Sequence, residues 1–170
     1  MILRPASLDD TKSLAALGRD SFVAAFGHIY QTPDLKRFLQ NVYAPEVVAR
    51  EIAHPDRIYC LAIMDERLAG FCKLALASPY AACSDARSPI ALGQLYTQPD
   101  LTGRGLGAAL MDWTLEEARR RNADAIQLTV YSDNPGAQRF YARYGFTKIA
   151  DVDFWVGNHR DDEFLFELRL

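Results

Sequence analysis

The feature that most limits the possible folds is a glycine-rich segment near the middle of the chain, Gln98–Ala108, with the sequence QPDLTGRGLGA. The apolar stretch Ile90–Thr97 precedes it and predicts a strand, and Gly105–Arg121 predicts a helix that follows directly. Ala125–Tyr131 alternates apolar and polar residues and predicts a second strand. A strand, a helix and a strand in this order predict a βαβ unit with two parallel strands. The fold class is therefore mixed α/β.

The flanking segments predict three helices and a hairpin before this unit and a helix and a hairpin after it. Pro33, Pro45 and Pro135 stand at expected helix starts, and Gly27 and Gly145 stand at expected helix ends, positions that these residue types favour. Glu116–Arg120 and Glu117–Arg121 have the spacing of ion pairs on a solvated helix end. The predicted flanking elements are a strand Met1–Arg4, a helix from the cap Ser7 to Gly27, helices Pro33–Tyr43 and Pro45–His54, strands Ile58–Met64 and Leu68–Ala77 joined by Asp65-Glu66-Arg67, a loop Ser78–Pro89, a helix Pro135–Tyr144 closed by Gly145, and two strands from Phe146 onward around Gly157-Asn158.

Composition excludes several classes of protein. The chain has 170 residues, which fits one domain spanning 1–170. The net charge of −3 gives no support for a nucleic-acid partner, which would favour a basic face, and Arg119–Arg121 is the only tight basic cluster. Three cysteines are an odd count, which argues against a disulfide framework. No apolar run approaches the ~20 residues of a membrane helix, and the first residues lack the apolar stretch of a signal peptide. We therefore expect a cytoplasmic protein with no membrane partner.

The glycine-rich segment has the properties of a phosphate-binding turn. A helix N-terminus presents unpaired amides and the positive end of the helix dipole. Glycines at 103, 105 and 107 let an anion approach the backbone, and Arg104 adds a positive charge. A turn without any ligand is the simplest alternative. It is disfavoured because each glycine inside a helix costs about 1 kcal/mol relative to alanine.

Three phosphate ligands can be compared for this segment. Gly103-x-Gly105-x-x-Ala108, with Asp124 downstream, also matches a dinucleotide fingerprint. The chain beyond Ala108 is too short for a doubly wound sheet and a substrate domain. A nucleoside-triphosphate loop is excluded because no Gly-Lys-Ser/Thr follows the glycines. The pyrophosphate of coenzyme A is the third candidate.

Two motifs make this interpretation more specific. Leu95–Gly107 resembles the acetyl-CoA motif of the GCN5-related N-acetyltransferase (GNAT) superfamily, (Gln/Arg)-x-x-Gly-x-(Gly/Ala), with Thr102 in place of the Gln or Arg. Asn134–Phe146 resembles the superfamily's downstream signature, Asn-x-x-Ala-x-x-(Leu/Phe)-Tyr-x-x-x-Gly-Phe. Every fixed position of that signature is present. Both motifs occur in the expected order with a predicted strand between them.

The resemblance implies a central mixed, mostly antiparallel sheet of about seven strands, flanked by helices, with a splayed parallel pair. The pantetheine arm of acetyl-CoA, the cosubstrate, would enter the gap between the splayed strands. No metal is implied, and His28, His54 and His159 lack metal-ligand spacing. The residues that the resemblance assigns to the cofactor are Leu95, Tyr96, Thr97, Thr102, Gly103, Arg104, Gly105, Leu106, Gly107, Ala108, Asn134, Ala137, Phe140 and Tyr141.

The resemblance also assigns the catalytic role of general acid to Tyr141. Its ordinary pKa of about 10 is close to that of a thiol, so it can protonate the departing sulfur. A tyrosine that only packs on an aromatic helix face is the alternative. The general base stays open among the carboxylates Asp100, Glu51 and Asp133.

The acceptor is expected to be a small primary amine. Asp20–Gly27, Phe38-Leu39, Tyr43 and the C-terminal Phe154–Gly157 resemble a bacterial subgroup that acetylates spermidine and spermine. Other acceptors, namely a protein N-terminus, lysine, amino acid or drug-like amine, stay open, as do a module that binds acyl-CoA without turnover and a homodimer. By analogy, the acceptor cleft would be flanked by Phe22, Phe26, Tyr30 and Tyr80, and its acidic residues would come from Asp34, Asp85, Asp161 and Asp162.

Overall fold

The computed structural model describes residues 1–170 and contains the predicted elements in the predicted order. Short 3-10 turns precede α1, β4 and α4. The strands are β1 Ile2–Pro5, β2 Arg57–Met64, β3 Arg67–Ala75, β4 Pro89–Thr97, β5 Ala125–Tyr131, β6 Thr147–Val156 and β7 His159–Arg169. The helices are α1 Thr11–Phe26, α2 Thr32–Tyr43, α3 Pro45–Ala53, α4 Leu106–Arg120 and α5 Pro135–Arg143.

All seven strands form one sheet in the order β1-β2-β3-β4-β5-β7-β6. Every neighbouring pair is antiparallel except β4 and β5, so the predicted mixed, mostly antiparallel sheet is confirmed. The β4–β5 pairing covers only Pro89–Ala91 against Ala125–Gln127. Beyond these residues the two strands diverge, and the edges that face each other stay unpaired.

The helices divide between the two faces of the sheet. One face carries α4 and α5 and holds the largest core cluster, which includes Leu110, Ile126 and Phe166. The other face carries α1, α2 and α3. Its clusters centre on Leu14 and Phe22 of α1. The divergence of β4 and β5 therefore opens a gap that connects the two faces.

Local structure corrects the sequence predictions in three places. Ser7 and Asp10 form a capping box around a 3-10 turn, so α1 itself begins only at Thr11. The β2–β3 link is a two-residue turn, Asp65-Glu66, and both residues have positive φ, as a type I′ turn requires. The predicted link was one residue longer, Asp65-Glu66-Arg67, and Arg67 instead begins β3.

The third correction concerns the end of α4. Arg120 pairs with Glu117 at 2.6 Å, and the predicted pair with Glu116 does not form. Arg121 joins the same carboxylate at 2.6 Å. The side chain of Glu117 is only 7% exposed, so this helix end is partly buried and not simply solvated.

No helix of the structure is long and apolar enough to cross a membrane.

Candidate active site

A cavity of about 460 Å³ lies where β4 and β5 diverge. Its walls come from α1, both diverging strands, the start of α5, and the β6–β7 hairpin. Six of the residues assigned to the cofactor by sequence lie on this wall: Leu95, Tyr96, Thr97, Asn134, Ala137 and Tyr141.

The glycine-rich segment follows β4 and supplies the start of α4. Gly103 and Gly105 have φ of 81° and 78°, a region that side chains other than glycine rarely adopt. A Cβ atom at either residue would meet no heavy atom within 4 Å, so the space beside both is open. The first amides of α4 have no partner inside the helix. This geometry fits a pyrophosphate held by backbone N–H groups.

Other residues assigned to the cofactor use their side chains within the protein. The Thr102 hydroxyl donates a hydrogen bond to the carbonyl of Pro99 at 2.9 Å, which closes the turn before the glycines. Leu106 is buried in the core and can offer only its backbone. A Cβ at Gly107 would lie 3.8 Å from the Phe140 ring, so the ring packs against the glycine-rich segment. Arg104 and Ala108 are exposed at the helix start.

Asn134 begins α5. Its Oδ1 accepts a hydrogen bond from the amide of Ala137 at 3.0 Å, which is the N-cap interaction of this helix. The cap fixes the start of α5 beside the gap and aligns the next turn, which carries Tyr141. Gly145, with φ of 91°, ends the helix as predicted.

Tyr141 reaches the cavity from the α4–α5 face. Its ring packs edge-on against Phe140 and Phe146, at centroid distances of 5.2 and 5.8 Å. Burial, followed by the neighbouring Tyr96 and Cys72, raises the pKa of Tyr141 above its ordinary value. The phenol therefore carries its proton at neutral pH, and the raised pKa makes it a weaker acid than a free tyrosine.

Two carboxylates, Asp161 and Glu163, lie on the cavity wall, and both come from β7. Asp161 is 4% exposed and accepts hydrogen bonds from the Tyr30 hydroxyl at 2.5 Å and from His159 Nε2 at 3.0 Å. Burial is the main cause that raises the pKa of Glu163, and the charge of Asp161 adds to it. The Thr129 hydroxyl opposes the shift.

Sequence reasoning named Asp161 among dispersed acidic residues and missed Glu163. A signal was present, because Asp161, Glu163 and Glu167 alternate with the apolar Phe164, Phe166 and Leu168. In a strand this spacing places the acids on one face and the apolar residues on the other.

The candidate bases named from sequence lie elsewhere. Glu51 of α3 is paired with Lys73 at 2.9 Å and with Arg57 at 3.6 Å, and it does not line the cavity. Asp100 is exposed beside Arg67. Asp133 lines a neighbouring hollow and does not line the cavity itself.

Three of the four aromatic residues expected beside the acceptor cleft line this cavity. Phe22, Phe26 and Tyr30 line the cavity, and Phe154 from β6 completes this aromatic wall. Tyr80 does not line it and lies in the loop that precedes β4, where its amide donates a hydrogen bond to the Ser78 hydroxyl.

Comparison with known proteins agrees with this arrangement. The sequence pattern of the acetyltransferase (GNAT) family matches residues 18–146, which contain α4, α5 and both diverging strands. The chain belongs to the GNAT family. It is an acetyl-CoA-dependent N-acetyltransferase of the GNAT type.

Individual GNAT relatives cover almost the whole chain. An uncharacterized N-acetyltransferase of Lactobacillus delbrueckii subsp. lactis is 26% identical over 161 residues, which cover 95% of this chain and 92% of that protein. A spermidine N(1)-acetyltransferase of Thermoplasma acidophilum is 24% identical over 155 residues, covering 89% and 90%. The crystal structure of the PaiA N-acetyltransferase of Thermoplasma acidophilum in complex with coenzyme A superposes with a TM-score of 0.81. It is 21% identical and covers 99% of this chain and 98% of that one, which shows the shared fold.

Proposed function

We propose that this GNAT protein transfers the acetyl group of acetyl-CoA to a primary amine of a small polyamine, by direct attack of the amine on the thioester. One observation carries the proposal. The two charged residues that line the cavity, Asp161 and Glu163, are both carboxylates, and no Lys, Arg or His shares the lining. Such a wall attracts a cation and repels an anion.

The shape and chemistry of the wall favour a flexible organic cation. Phe22, Phe26 and Phe154 offer apolar and π surfaces, which suit methylene segments and ammonium groups respectively. Asp161 lies beside Tyr30, while Glu163 stands two residues further along β7. Two separate carboxylates match a ligand with two separate ammonium groups. The similarity to a spermidine N(1)-acetyltransferase supports the same acceptor class.

The cofactor side of the proposal uses the opposite face of the sheet. The amides at Gly103–Ala108 hold the pyrophosphate, and the unpaired edges of β4 and β5 hydrogen-bond the amides of the pantetheine arm. Leu95, Tyr96 and Thr97 contribute through the β4 edge. Tyr141 then stands beside the thioester and protonates the departing sulfur.

An amine panel tests the acceptor. Release of free thiol from acetyl-CoA is measured with spermidine, spermine, a diamine, a monoamine of equal chain length, and a peptide with a free N-terminus. We expect kcat/KM for spermidine to exceed that for the monoamine by about tenfold, since one charge pair near a protein surface contributes roughly 1.4 kcal/mol or more. Equal values for the two, or a preference for the peptide, would contradict the polyamine assignment.

Cofactor binding is measured separately so that the two halves of the proposal can fail independently. Acetyl-CoA and CoA should raise the Tm of the protein, and NAD should not. Stabilisation by acetyl-CoA together with no transfer to any amine would favour a module that binds acyl-CoA without turnover.

A further inference from the structure

We infer that Glu163 is the general base of the acetyl transfer and takes the proton of the acceptor ammonium from the face of the sheet opposite to Tyr141. The inference rests on the proposed function, because it needs an amine as acceptor. It assigns a role to a residue outside both sequence motifs, on the hairpin that follows them.

Strand alternation places the two groups on opposite faces. Phe154 and Asp161 are direct partners in the β6–β7 ladder, so they share a face, and Phe154 packs in the cluster around Phe22 of α1. Glu163 is two residues after Asp161 and therefore points to that same α1 face. Tyr141 instead packs with the core beneath α4 and α5. The gap between β4 and β5 joins the faces, so an amine and a thioester can meet between the two groups.

Unsatisfied polar atoms mark where the acceptor fits. Two buried side-chain oxygens lack a hydrogen-bond partner, Oε2 of Glu163 and Oγ of Ser21, and both residues line this cavity. Ser21 is 6% exposed and lies on α1. A buried oxygen without a partner destabilises the folded protein, and the penalty is larger when the oxygen is charged. A bound ammonium group would supply N–H donors to both.

The other carboxylates on this face of β7 have partners for their oxygens. Glu167 lies on the same face, but its Oε2 accepts a hydrogen bond from Gln127 at 2.8 Å and its Oε1 lies 3.5 Å from Arg169. Asp161 is likewise satisfied by Tyr30 and His159. Of these three carboxylates, Glu163 is the one with a buried oxygen that has no hydrogen-bond partner, while Asp161 can still attract a second ammonium group through its charge.

The surroundings of Glu163 suit a base. Burial and the negative Asp161 raise its pKa, and the Thr129 hydroxyl lowers it. An elevated carboxyl pKa lies closer to neutral pH, where a base is most effective. The titratable and charged groups that face it are Asp161 and His159 on β7, Tyr131 on β5, Tyr96 on β4, Tyr30 after α1 and Tyr80 before β4.

Glu163 and Tyr141 together account for both protons that the acceptor ammonium loses. One N–H proton of the ammonium passes to the Glu163 carboxylate, and the freed lone pair forms a bond to the thioester carbonyl carbon. The C–S bond breaks, and the sulfur takes the proton of the Tyr141 hydroxyl. The second N–H proton, lost as the amide forms, restores Tyr141, and Glu163 releases its proton to solvent. Ser21 is a positioning residue that accepts a hydrogen bond from the amine.

The test compares wild type with Glu163→Gln across pH, using the best acceptor of the amine panel. Near pH 7 we expect kcat/KM for the amine to fall about 100-fold or more, with KM for acetyl-CoA unchanged. The variant must use free amine, whose fraction rises about tenfold per pH unit below an amine pKa of about 10. The deficit should therefore shrink steadily toward about pH 9.5. Ser21→Ala should raise KM for the amine by several-fold without altering the pH profile.

Each result decides the assignment. A deficit that is the same at all pH values, or activity within about threefold of wild type near pH 7, would overturn Glu163 as the base, since a general base contributes at least about 100-fold. A Glu163→Asp variant would support the assignment if it is slower than wild type but loses activity over the same acidic pH range. If the wild type acetylates no amine, the proposed function fails and this role fails with it. Transfer by the wild type with an unaffected variant overturns Glu163 alone.

Discussion

The hydroxyl of Tyr30 donates a hydrogen bond of 2.5 Å to Oδ2 of Asp161. Tyr30 lies in the link between α1 and α2, and Asp161 lies on β7, so the contact ties the helical layer to the C-terminal hairpin at the wall of the cavity. Burial first, and then Asp161, raise the pKa of Tyr30 above its ordinary value, so the phenol stays a donor. The carboxylate is thereby held in one orientation, with His159 on its other oxygen.

Asp161→Asn should weaken binding of a second ammonium group, because the amide keeps the shape of the carboxylate and loses its charge. We expect KM for spermidine to rise about tenfold, and KM for a monoamine to change by less than about threefold. Steady-state kinetics with the two acceptors measures the difference. Asp162→Asn is the matched control, because the neighbouring Asp162 is 71% exposed and does not line the cavity. Equal effects on the two acceptors would show that Asp161 has only a structural role.

Tyr141→Phe should reduce kcat by roughly 100-fold or more, since the departing sulfur loses its acid. KM for acetyl-CoA should stay near the wild-type value, because the ring still packs on Phe146. Tyr144→Phe serves as the control on the same helix. Its hydroxyl bonds Asp112 Oδ1 at 3.2 Å and lies outside the cavity. Rapid single-turnover transfer by Tyr141→Phe would contradict the acid assignment.

Sequence alone predicted the part of the site that depends on short-range pattern. A positive φ favours glycine, so the glycines themselves mark the phosphate turn and the end of α5 in the sequence. These glycines are Gly103, Gly105 and Gly145. The alternation in Ala125–Tyr131 placed the second parallel strand. The family resemblance predicted that this strand diverges from β4, and the short β4–β5 ladder confirms the divergence.

The acceptor side was harder to predict because it depends on pairing between distant segments. The last hairpin was predicted, but a hairpin alone does not specify which of its strands joins the sheet. β7 pairs with β5, and this pairing sets Glu163 opposite Tyr131 and brings it to the cavity. Had β6 paired instead, the acids of β7 would lie on an outer strand. Long-range register of this kind is fixed by packing of the whole sheet, not by local sequence.

Gly105→Ala should impair cofactor binding more than Gly107→Ala. Alanine at Gly105 would have to adopt a left-handed φ, which costs roughly 1–2 kcal/mol and distorts the turn. Gly107 has ordinary helical geometry, and a methyl there would make an ordinary contact with Phe140 at 3.8 Å. Isothermal titration with CoA should show a weaker Kd for Gly105→Ala by about tenfold. If Gly107→Ala weakened binding more, close approach of the phosphate to that glycine, and not the left-handed turn, would dominate.

Glu163→Gln should stabilise the protein at neutral pH relative to wild type, and the gain should vanish in acid. The folded-state pKa of Glu163 is raised by burial, so the folded chain holds this proton more tightly than the unfolded chain does. Stability of the wild type therefore falls as pH rises from the unfolded value of about 4.3 to the folded value, a loss that glutamine does not suffer. Urea unfolding across this range measures the difference between the two proteins.

Asp124→Asn provides a comparison of opposite sign for this measurement. The amides of Arg87 and Ser88 donate to the Asp124 carboxylate at 2.6 and 2.9 Å and lower its pKa. Its stabilising contribution is present above the unfolded pKa of about 3.9 and is lost as pH falls toward the folded value. Asp124→Asn should therefore be less stable than wild type at neutral pH, with the deficit closing in acid. A stability difference for Glu163→Gln that does not change with pH would mean that the Glu163 carboxyl is not shifted in the folded protein.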